Sequence, residues 1–429
     1  MKKVAFFIVT LLLAVRVIAQ AAEPATYTTA INKFKQYYNH DQIDSIFSMF
    51  SPEMKAALPL DNFKTTTGQL KSQYGNLINA GFVKYGQSLA VYKATFQNNT
   101  FLLNLALNSQ NKITGLLLSP YKESAAGGVT LDPALTESPI LVKTLSGSIS
   151  GSLVTPKNLT GKIPVVLIIA DAGATDRDGN NPKTGINSNT YKMLAYDLGK
   201  NGIATLRYDK RLVGESVSST KEKELHIEDY SDDAVALIGL LNDDQRFSKI
   251  IVFGHGEGAL VGTLAIPEQP VKAFISAEWA ADPAEKILTN QMKAKPQFLI
   301  DKFKNILDSL RKGKITDNVD PSLYYIARPS IQPFIMSWCR YDPLRGIKRV
   351  KMPILLIQGN TDKVVAAENA ERLKKAKSDA KLFMVSNMNH ILKEAPADEE
   401  QNIATYSKPD LPLKAELIPA IVDFISKVR

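Results

Sequence analysis

The chain has 429 residues, of which 45% are hydrophobic and 22% are charged, and its formal net charge is +9. This length exceeds one ordinary single-core domain, so we predict two domains, each with its own hydrophobic core. The Lys and Arg residues are scattered among Asp and Glu with no block of like charge. That distribution favours a solvated surface and argues against a nucleic-acid-binding protein.

The first 21 residues have the order of a signal peptide. Lys2 and Lys3 precede a largely apolar run, and small residues such as Ala19 and Ala21 end the segment. Arg16 interrupts the apolar run before it reaches the roughly 20 residues that a membrane helix needs. We therefore predict cleavage after Ala19 or Ala21, a secreted or periplasmic protein, and no membrane anchor after cleavage.

Residues 22–121 change from a helical to a strand-like pattern and contain no catalytic motif. Apolar residues at helical spacing predict three short helices, and the pair Ser51-Pro52 signals a helix start. Four strand-like runs separated by turn signals follow. Together they predict a small α+β domain with an antiparallel sheet. The helices are expected at residues 31–38, 43–50 and 60–74, and the strands at residues 82–87, 88–96, 100–107 and 112–118.

Residues 122–137 contain a run of small residues and are predicted to be a linker. From residue 138 to 429, short apolar runs alternate with helical patterns, which predicts an α/β domain with a mostly parallel sheet and right-handed crossovers. Residues 282–349 interrupt this alternation. They are mostly helical and too long for a simple crossover, so we predict that they form a helical cap.

A strand, a glycine-rich turn and a helix follow one another around Gly256. The strand pattern at residues 249–253 leads into Gly254-His255-Gly256-Glu257-Gly258. In a nucleophile elbow, such a turn presents a serine at its middle position, and glycines flank it because the strained backbone leaves no room for Cβ atoms. Here the middle residue is Gly256. Taken alone, the turn also fits a phosphate-binding or a tight structural turn.

Asp362 and His390 each follow a predicted strand of the second domain. Their order along the chain, after the glycine-rich turn, is the order of nucleophile, acid and histidine in an α/β hydrolase. In an intact triad, the Asp362 carboxylate would hold the His390 imidazole in the right tautomer, and His390 would take the proton of the nucleophile. Taken singly, Asp362 also fits a turn residue and His390 a loop histidine. The order of the three elements favours the hydrolase fold.

Both predicted domains resemble known families. Residues 50–54 and 92–96 resemble NTF2-like domains of unknown function that precede secreted hydrolases. The second domain resembles secreted bacterial α/β hydrolases of the serine esterase and aminopeptidase type. Four stretches carry this resemblance: residues 175–180, 207–211, 358–365 and 388–393. The resemblance implies an α/β-hydrolase fold with a helical cap behind a small NTF2-like α+β domain, and an esterase or peptidase class of activity.

Three residues depart from the pattern of that family. Gly256 stands in place of the nucleophile serine, and Leu212 stands where the family usually has glycine. Asp171, followed by Ala172, stands where the family has small, glycine-rich residues whose backbone N–H groups build the oxyanion hole. A carboxylate there would repel a developing oxyanion. We assign Asp171, Ala172 and Glu257 to the oxyanion region, and we expect Glu257 to cap the helix start.

These departures predict a protein that is catalytically silent or strongly impaired as a serine hydrolase, with a pocket for an ester-, acyl- or peptide-like ligand. Losing one member of such a triad costs on the order of 10⁶-fold in turnover. Two alternatives remain open. One is an active hydrolase in which His390 activates water or another nucleophile, such as Asp171, attacks. The other is a binding protein that uses the hydrolase fold as a scaffold and contacts a protein partner through the N-terminal domain.

No cofactor and no metal are predicted. His40 with Asp44, and His226 with Glu222, each have a carboxylate one helical turn away. Neither pair has a second histidine or a cysteine nearby, whereas a metal site usually needs three or four ligands. The sequence leaves open the substrate and the oligomeric state.

Overall fold

The computed structural model describes residues 23–86, 89–120 and 129–429. The chain divides into two compact units, Met1–Ala126 and Gly127–Arg429. The predicted signal peptide, residues 1–21, lies outside the described residues, so export stays a prediction. The small-residue run of the predicted linker, residues 123–128, also lies outside the described residues, so its role as a linker stays a prediction. In the part of the chain that the structure describes, no helix is both long and apolar enough to cross a membrane.

The described part of the N-terminal unit, from residue 23 on, has four helices before its first strand, where the sequence pattern predicted three. The start signal at Ser51 opens a separate short helix, because the Ser51 hydroxyl accepts a hydrogen bond from the Met54 N–H at 3.3 Å and Pro52 occupies the first helical position. The four helices are α1 (Ala25–Asn39), α2 (Ile43–Ser48), α3 (Pro52–Ala57) and α4 (Leu60–Tyr74).

An antiparallel sheet completes this unit, with its strands in chain order. The helices pack on it around an aromatic core that includes Phe34, Tyr38, Phe63, Tyr92 and Phe96. The α+β prediction for this segment is therefore confirmed, although the first strand begins earlier than the pattern indicated, at Leu77. The strands are β1 (Leu77–Gly86), β2 (Leu89–Phe96), β3 (Thr100–Leu107) and β4 (Ile113–Pro120).

The second unit is built on a sheet in the order β13-β12-β11-β10-β7-β8-β6-β5, with β9 paired to β6. The strands from β8 through β7 to β13 run parallel, and β5, β6 and β9 add antiparallel pairs at one edge. The strands are β5 (Leu135–Thr144), β6 (Gly147–Pro156), β7 (Ile163–Ile169), β8 (Ala204–Tyr208), β9 (Val217–Ser218), β10 (Phe247–His255), β11 (Val271–Ala277), β12 (Ile354–Gly359) and β13 (Lys381–Val385).

The first strand of this sheet corrects the predicted domain boundary. β5 begins at Leu135, inside the segment predicted as linker, and Leu135 is buried in the core of the second unit. Glu137, Ser138 and Pro139 interrupt the apolar pattern that would have revealed this strand. Proline is tolerated there because β5 is the edge strand of the sheet.

Helices cover both faces of the sheet. Along β10, Ile250 and Val252 belong to one core cluster with α6 and α7, whereas Ile251 and Phe253 belong to the other with α5 and α15. Neighbouring side chains of a strand point to opposite faces, so the continuous apolar runs are strands buried on both sides. The helices are α5 (Thr190–Lys200), α6 (Ile227–Asp243), α7 (Glu257–Ala265), α13 (Glu368–Ala376), α14 (Glu399–Ala404) and α15 (Leu417–Ser426).

Between β11 and β12 the chain forms the helical segment that the sequence predicted as a cap. Part of it has a core of its own around Phe303 and Leu307. Its helices are α8 (Ala284–Gln291), α9 (Gln297–Arg311), α10 (Tyr324–Ala327), α11 (Gln332–Trp338) and α12 (Pro343–Arg349). The predicted α/β-hydrolase architecture with an inserted helical segment is thus confirmed.

Candidate active site

Gly256 forms a sharp turn between strand β10 and helix α7. Its backbone has φ +50° and ψ −116°, a conformation that residues with a side chain rarely adopt. The flanking glycines are required by space, since a Cβ atom would lie 2.5 Å from the Ala259 Cα at Gly254 and 2.3 Å from the Ile169 carbonyl oxygen at Gly258. The strand, turn and helix of a nucleophile elbow are therefore present around a residue without a side chain.

Asp362 and His390 are in direct contact. The His390 Nδ1 lies 2.8 Å from the Asp362 Oδ2, and the Asp362 side chain is completely buried. The other carboxylate oxygen accepts hydrogen bonds from the backbone N–H groups of Val364 at 2.6 Å and Val365 at 2.9 Å. The acid loop after β12 thus fixes the carboxylate, which in turn orients the imidazole.

Asp171 fills the place of the missing serine side chain. Its Oδ2 lies 2.9 Å from the His390 Nε2, and its Oδ1 accepts a hydrogen bond from the Glu257 N–H at 2.9 Å. A Cβ atom built on Gly256 would lie only 1.9 Å from this Oδ1. The sequence analysis assigned Asp171 to the oxyanion region, where its charge would repel a developing oxyanion. In the structure, its Oδ2 contacts the His390 ring nitrogen that the serine hydroxyl would contact. Its Oδ1 accepts the hydrogen bond of the Glu257 N–H, the first amide after the elbow.

The charges of this array fix the protonation of His390. Burial opposes a charged imidazole, but the carboxylates of Asp362 and Asp171 raise the pKa of His390 to about 10. Burial also opposes ionisation of Asp171, yet the hydrogen bond and charge of His390 hold its pKa well below the usual range, aided by the backbone N–H of Ala172. At neutral pH, the site is an imidazolium between two carboxylates, and neither ring nitrogen has a free lone pair.

The backbone of Asp171 is held on both sides. Its N–H donates to the Tyr191 hydroxyl at 2.9 Å, and its carbonyl accepts from the Lys210 ammonium at 3.0 Å. The Tyr191 hydroxyl also lies 2.7 Å from Nδ1 of His255, whose Nε2 lies 2.8 Å from the His390 carbonyl. Burial and the nearby His390 charge lower the pKa of His255 to about 4, so it is neutral. His255, the residue before Gly256 in the elbow, therefore connects the loops that carry Asp171 and His390.

Glu257 does not cap helix α7, contrary to the sequence prediction. Its carboxylate forms a buried ion pair with Lys210 at 2.9 Å. Gly256 is the N-cap residue and has no side chain, so the free N–H of Glu257 is satisfied by Asp171. The Asp171 carboxylate, at the N-terminus of α7, also interacts favourably with the helix dipole.

Glu278 is a member of the site that the sequence analysis missed. It directly follows β11, is fully buried, and contacts the Asp362 carboxylate, while its Oε1 accepts from the Gly359 N–H at 2.8 Å. Burial and the Asp362 charge raise the pKa of Glu278 well above the usual range, which favours a protonated Glu278 carboxyl that donates a hydrogen bond to the Asp362 carboxylate. Ligand-type atoms of Glu278, Asp362 and His390 lie within 4.8 Å of one another, but hydrogen bonds already join them. The absence of a metal stays a prediction.

Leu212 has φ +62° and is 46% exposed, which explains why a glycine is expected at this position. The left-handed backbone conformation costs a residue with a Cβ atom about 1–2 kcal/mol, whereas glycine adopts it without this cost. Because glycine is also freer in the unfolded chain, we expect Leu212→Gly to stabilise the protein by about 0.5–1 kcal/mol in urea unfolding. Leu212→Ala is the matched control, since it removes the side chain but keeps Cβ. A glycine variant no more stable than the alanine variant would contradict the prediction.

A mostly parallel sheet with helices on both faces, an elbow after β10, and an acid and a histidine after β12 and β13 define the second unit as an α/β-hydrolase domain. Residues 184–325 match the family described as serine aminopeptidase, S33, and residues 32–116 match a protein family of unknown function, DUF3887. The chain thus combines a segment that matches DUF3887 with an α/β-hydrolase domain, part of which matches the serine aminopeptidase family. The NTF2-like character of the first domain stays a prediction.

Known esterases are similar to this chain. Esterase EstD of Thermotoga maritima is 25% identical over 378 residues, which cover 84% of this chain and 86% of EstD. Among solved structures, Est1E from Butyrivibrio proteoclasticus with bound ferulic acid has a TM-score of 0.48 and 18% identity, covering 67% of this chain and 100% of Est1E. The Pyrococcus furiosus esterase Pf2001 has a TM-score of 0.45 and 15% identity, covering 68% of this chain and 93% of that protein.

Proposed function

We propose that this protein is silent as a serine esterase or peptidase, although it keeps the hydrolase fold and an ordered acid and histidine. The position of the Asp171 carboxylate carries the proposal. Acyl transfer needs a nucleophile at the elbow, a base with a free lone pair, and a vacant amide for the oxyanion. The Asp171 carboxylate lies in the space that a serine side chain at position 256 would need. It also hydrogen-bonds Nε2 of His390, the base of the triad, and accepts the hydrogen bond of the Glu257 N–H.

The protonation of His390 supports this proposal over hydrolysis by a histidine-activated water. A general base must accept a proton at the working pH. The two carboxylates raise the pKa of His390 to about 10, so at pH 7 the ring is already protonated. In the resting state, His390 is therefore an acid, and it does not activate water.

Direct assays test the proposal. The purified protein is incubated with nitrophenyl acetate and nitrophenyl butyrate at pH 7.5, and separately with a fluorophosphonate probe that labels activated serines. We expect no labelled serine, and ester turnover no higher than that of His390→Ala. A labelled serine in the second unit, or turnover that disappears in His390→Ala, would overturn the proposal. A serine hydrolase run in parallel shows that the probe and the esters are competent.

A further inference from the structure

We propose that the edge of the hydrolase sheet opposite the candidate active site binds the surface of an anionic phospholipid membrane. That edge takes no part in the proposed function, so either proposal can fail without the other. Three observations support membrane binding: the direction of the parallel strands, the exposed lysines where those strands begin, and the small number of free carboxylates nearby.

The first residues of parallel strands meet at one edge of a sheet, and their last residues meet at the other. Asp171, Asp362 and His390 each follow the end of a strand, so the candidate active site lies at the second of these edges. Strands β13, β12, β11, β10 and β7 are neighbours in this order and run parallel. At about 4.8 Å between neighbouring strands, their first residues extend over roughly 19 Å. The sheet thus has a broad edge that faces away from the candidate active site.

Each of these strands has a lysine or arginine near its first residue. They are Lys381 in β13, Lys351 before β12, Lys272 in β11, Arg246 before β10 and Lys162 before β7. All five side chains are exposed. Arg246 pairs with Asp244, whereas the four lysines form no ion pair in the part of the chain that the structure describes. The fold therefore leaves the charge of these lysines free to meet an external anion.

Helices add cations to the same edge, because the helix that precedes a strand ends where the strand begins. Lys348 and Arg349 lie in the last turn of α12, before β12, and Lys375 lies in the last turn of α13, before β13. These three side chains are also exposed and, among the described residues, have no carboxylate partner. We define the basic edge as Lys162, Lys272, Lys348, Arg349, Lys351, Lys375 and Lys381.

Few carboxylates offset the charge of the basic edge. Within the described residues, the acids near these strand starts and helix ends are Asp243, Asp244, Glu268, Asp379 and Asp423. Three of them pair with cations outside the basic edge: Asp244 with Arg246, Asp379 with Lys377, and Asp423 with Lys427. Asp243 and Glu268 are left against seven cations. Lysines that are scattered along the sequence are thus collected by the parallel sheet into one positive surface.

The composition of the basic edge favours a membrane over a nucleic acid. All its cations except Arg349 are lysines, whose point charges attract lipid phosphates, whereas nucleic-acid readers favour the planar fork of arginine. The exposed aromatic side chains of the described chain, Phe298, Tyr324 and Tyr325, lie in the helical cap, so bases have no stacking partner at the basic edge. Clusters of about four to eight lysines and arginines bind anionic headgroups. Binding through this edge directs the candidate active site away from the lipid.

The test is sedimentation of the full chain with vesicles of phosphatidylcholine alone, or of phosphatidylcholine mixed with phosphatidylglycerol. We expect binding to the mixed vesicles at about 0.05 M NaCl and its loss at about 0.5 M, where salt screens the charges. An edge variant carries Lys272→Gln, Lys348→Gln, Lys351→Gln and Lys381→Gln. Each lysine near a lipid surface strengthens binding about fivefold, so the affinity of this variant for mixed vesicles should fall roughly 10²–10³-fold.

A cap variant is the matched control, because it loses the same number of exposed lysines that form no ion pair within the described residues. Its substitutions are Lys293→Gln, Lys304→Gln, Lys312→Gln and Lys314→Gln. It has the same net charge as the edge variant and should bind mixed vesicles almost as tightly as the wild-type chain. Both variants keep residues 1–21, so any binding by the predicted signal peptide is the same in each. Melting temperatures show that both remain folded.

Four results would overturn membrane binding through the basic edge. They are no sedimentation with mixed vesicles, equal sedimentation with both kinds of vesicle, equal losses of affinity in the two variants, and a larger loss in the cap variant. Tighter binding of the wild-type chain to double-stranded DNA than to mixed vesicles at the same salt would also overturn it and identify a nucleic acid as the partner. The ester assays probe the opposite edge of the sheet, and their result stands in each case.

Discussion

Gly256→Ser combined with Asp171→Ala is expected to hydrolyse nitrophenyl esters at least ~10³-fold faster than the wild-type chain, as part of the ~10⁶-fold that a complete triad supplies. The serine provides a nucleophile at the elbow. Removing the carboxylate frees Nε2 of His390 and the Glu257 N–H, and it leaves His390 with Asp362 alone, so the pKa of His390 falls. The double variant then has each part that acyl transfer needs. Initial rates at pH 7.5 and fluorophosphonate labelling of the introduced serine measure the gain.

Gly256→Ser alone is expected to give no activity. The new Cβ would lie 1.9 Å from the Asp171 Oδ1 and 2.5 Å from its Cγ, so the serine and the carboxylate cannot occupy the site together without movement. Adding His390→Ala to the double variant should abolish the gain, which ties the activity to the triad. Equal activity in the single and double variants would show that Asp171 does not block the site.

The sequence predicted where this site lies more accurately than it predicted which side chains form it and how they contact one another. The chain order of Gly256, Asp362 and His390 identified the hydrolase pattern, since each residue follows a recognisable strand. Comparison with the family singled out Asp171. The Asp171 carboxylate lies where a serine side chain would be because of the direction of its side chain and because two loops distant in the chain approach each other. No local sequence pattern predicts either of these features. Glu278 was missed because one acidic residue after an apolar strand gives no periodic signal.

The same distinction holds for the fold. The parallel strands were predictable because a sheet buried on both faces leaves short continuous apolar runs, as in β7 and β12. The start of β5 was not, because an edge strand with one exposed face tolerates Glu137 and Pro139. Its pairing with β6 defines it, and that pairing is a tertiary contact.

Raising the pH from 7 to 10 is expected to destabilise the wild-type chain by about 3–4 kcal/mol more than the His390→Gln variant. The folded-state pKa of His390 is raised to about 10, whereas an unfolded histidine titrates near 6.5. Between these values, the folded state binds one proton more than the unfolded state, so the free energy of unfolding falls by about 1.4 kcal/mol per pH unit. Below about pH 6.5 both states are protonated, and the full contribution of His390 is present.

Urea unfolding at pH 6, 7, 8.5 and 10 measures this difference. Tryptophan fluorescence is a suitable signal because both tryptophans, Trp279 and Trp338, lie in the hydrolase unit. Asp171→Asn should lose an intermediate amount of stability between pH 7 and 10, since His390 then keeps only the Asp362 carboxylate and its folded-state pKa is lower. Parallel curves for wild type and His390→Gln would mean that His390 is not held as an imidazolium. The resting site would then have a free base, and His390 would be able to activate water.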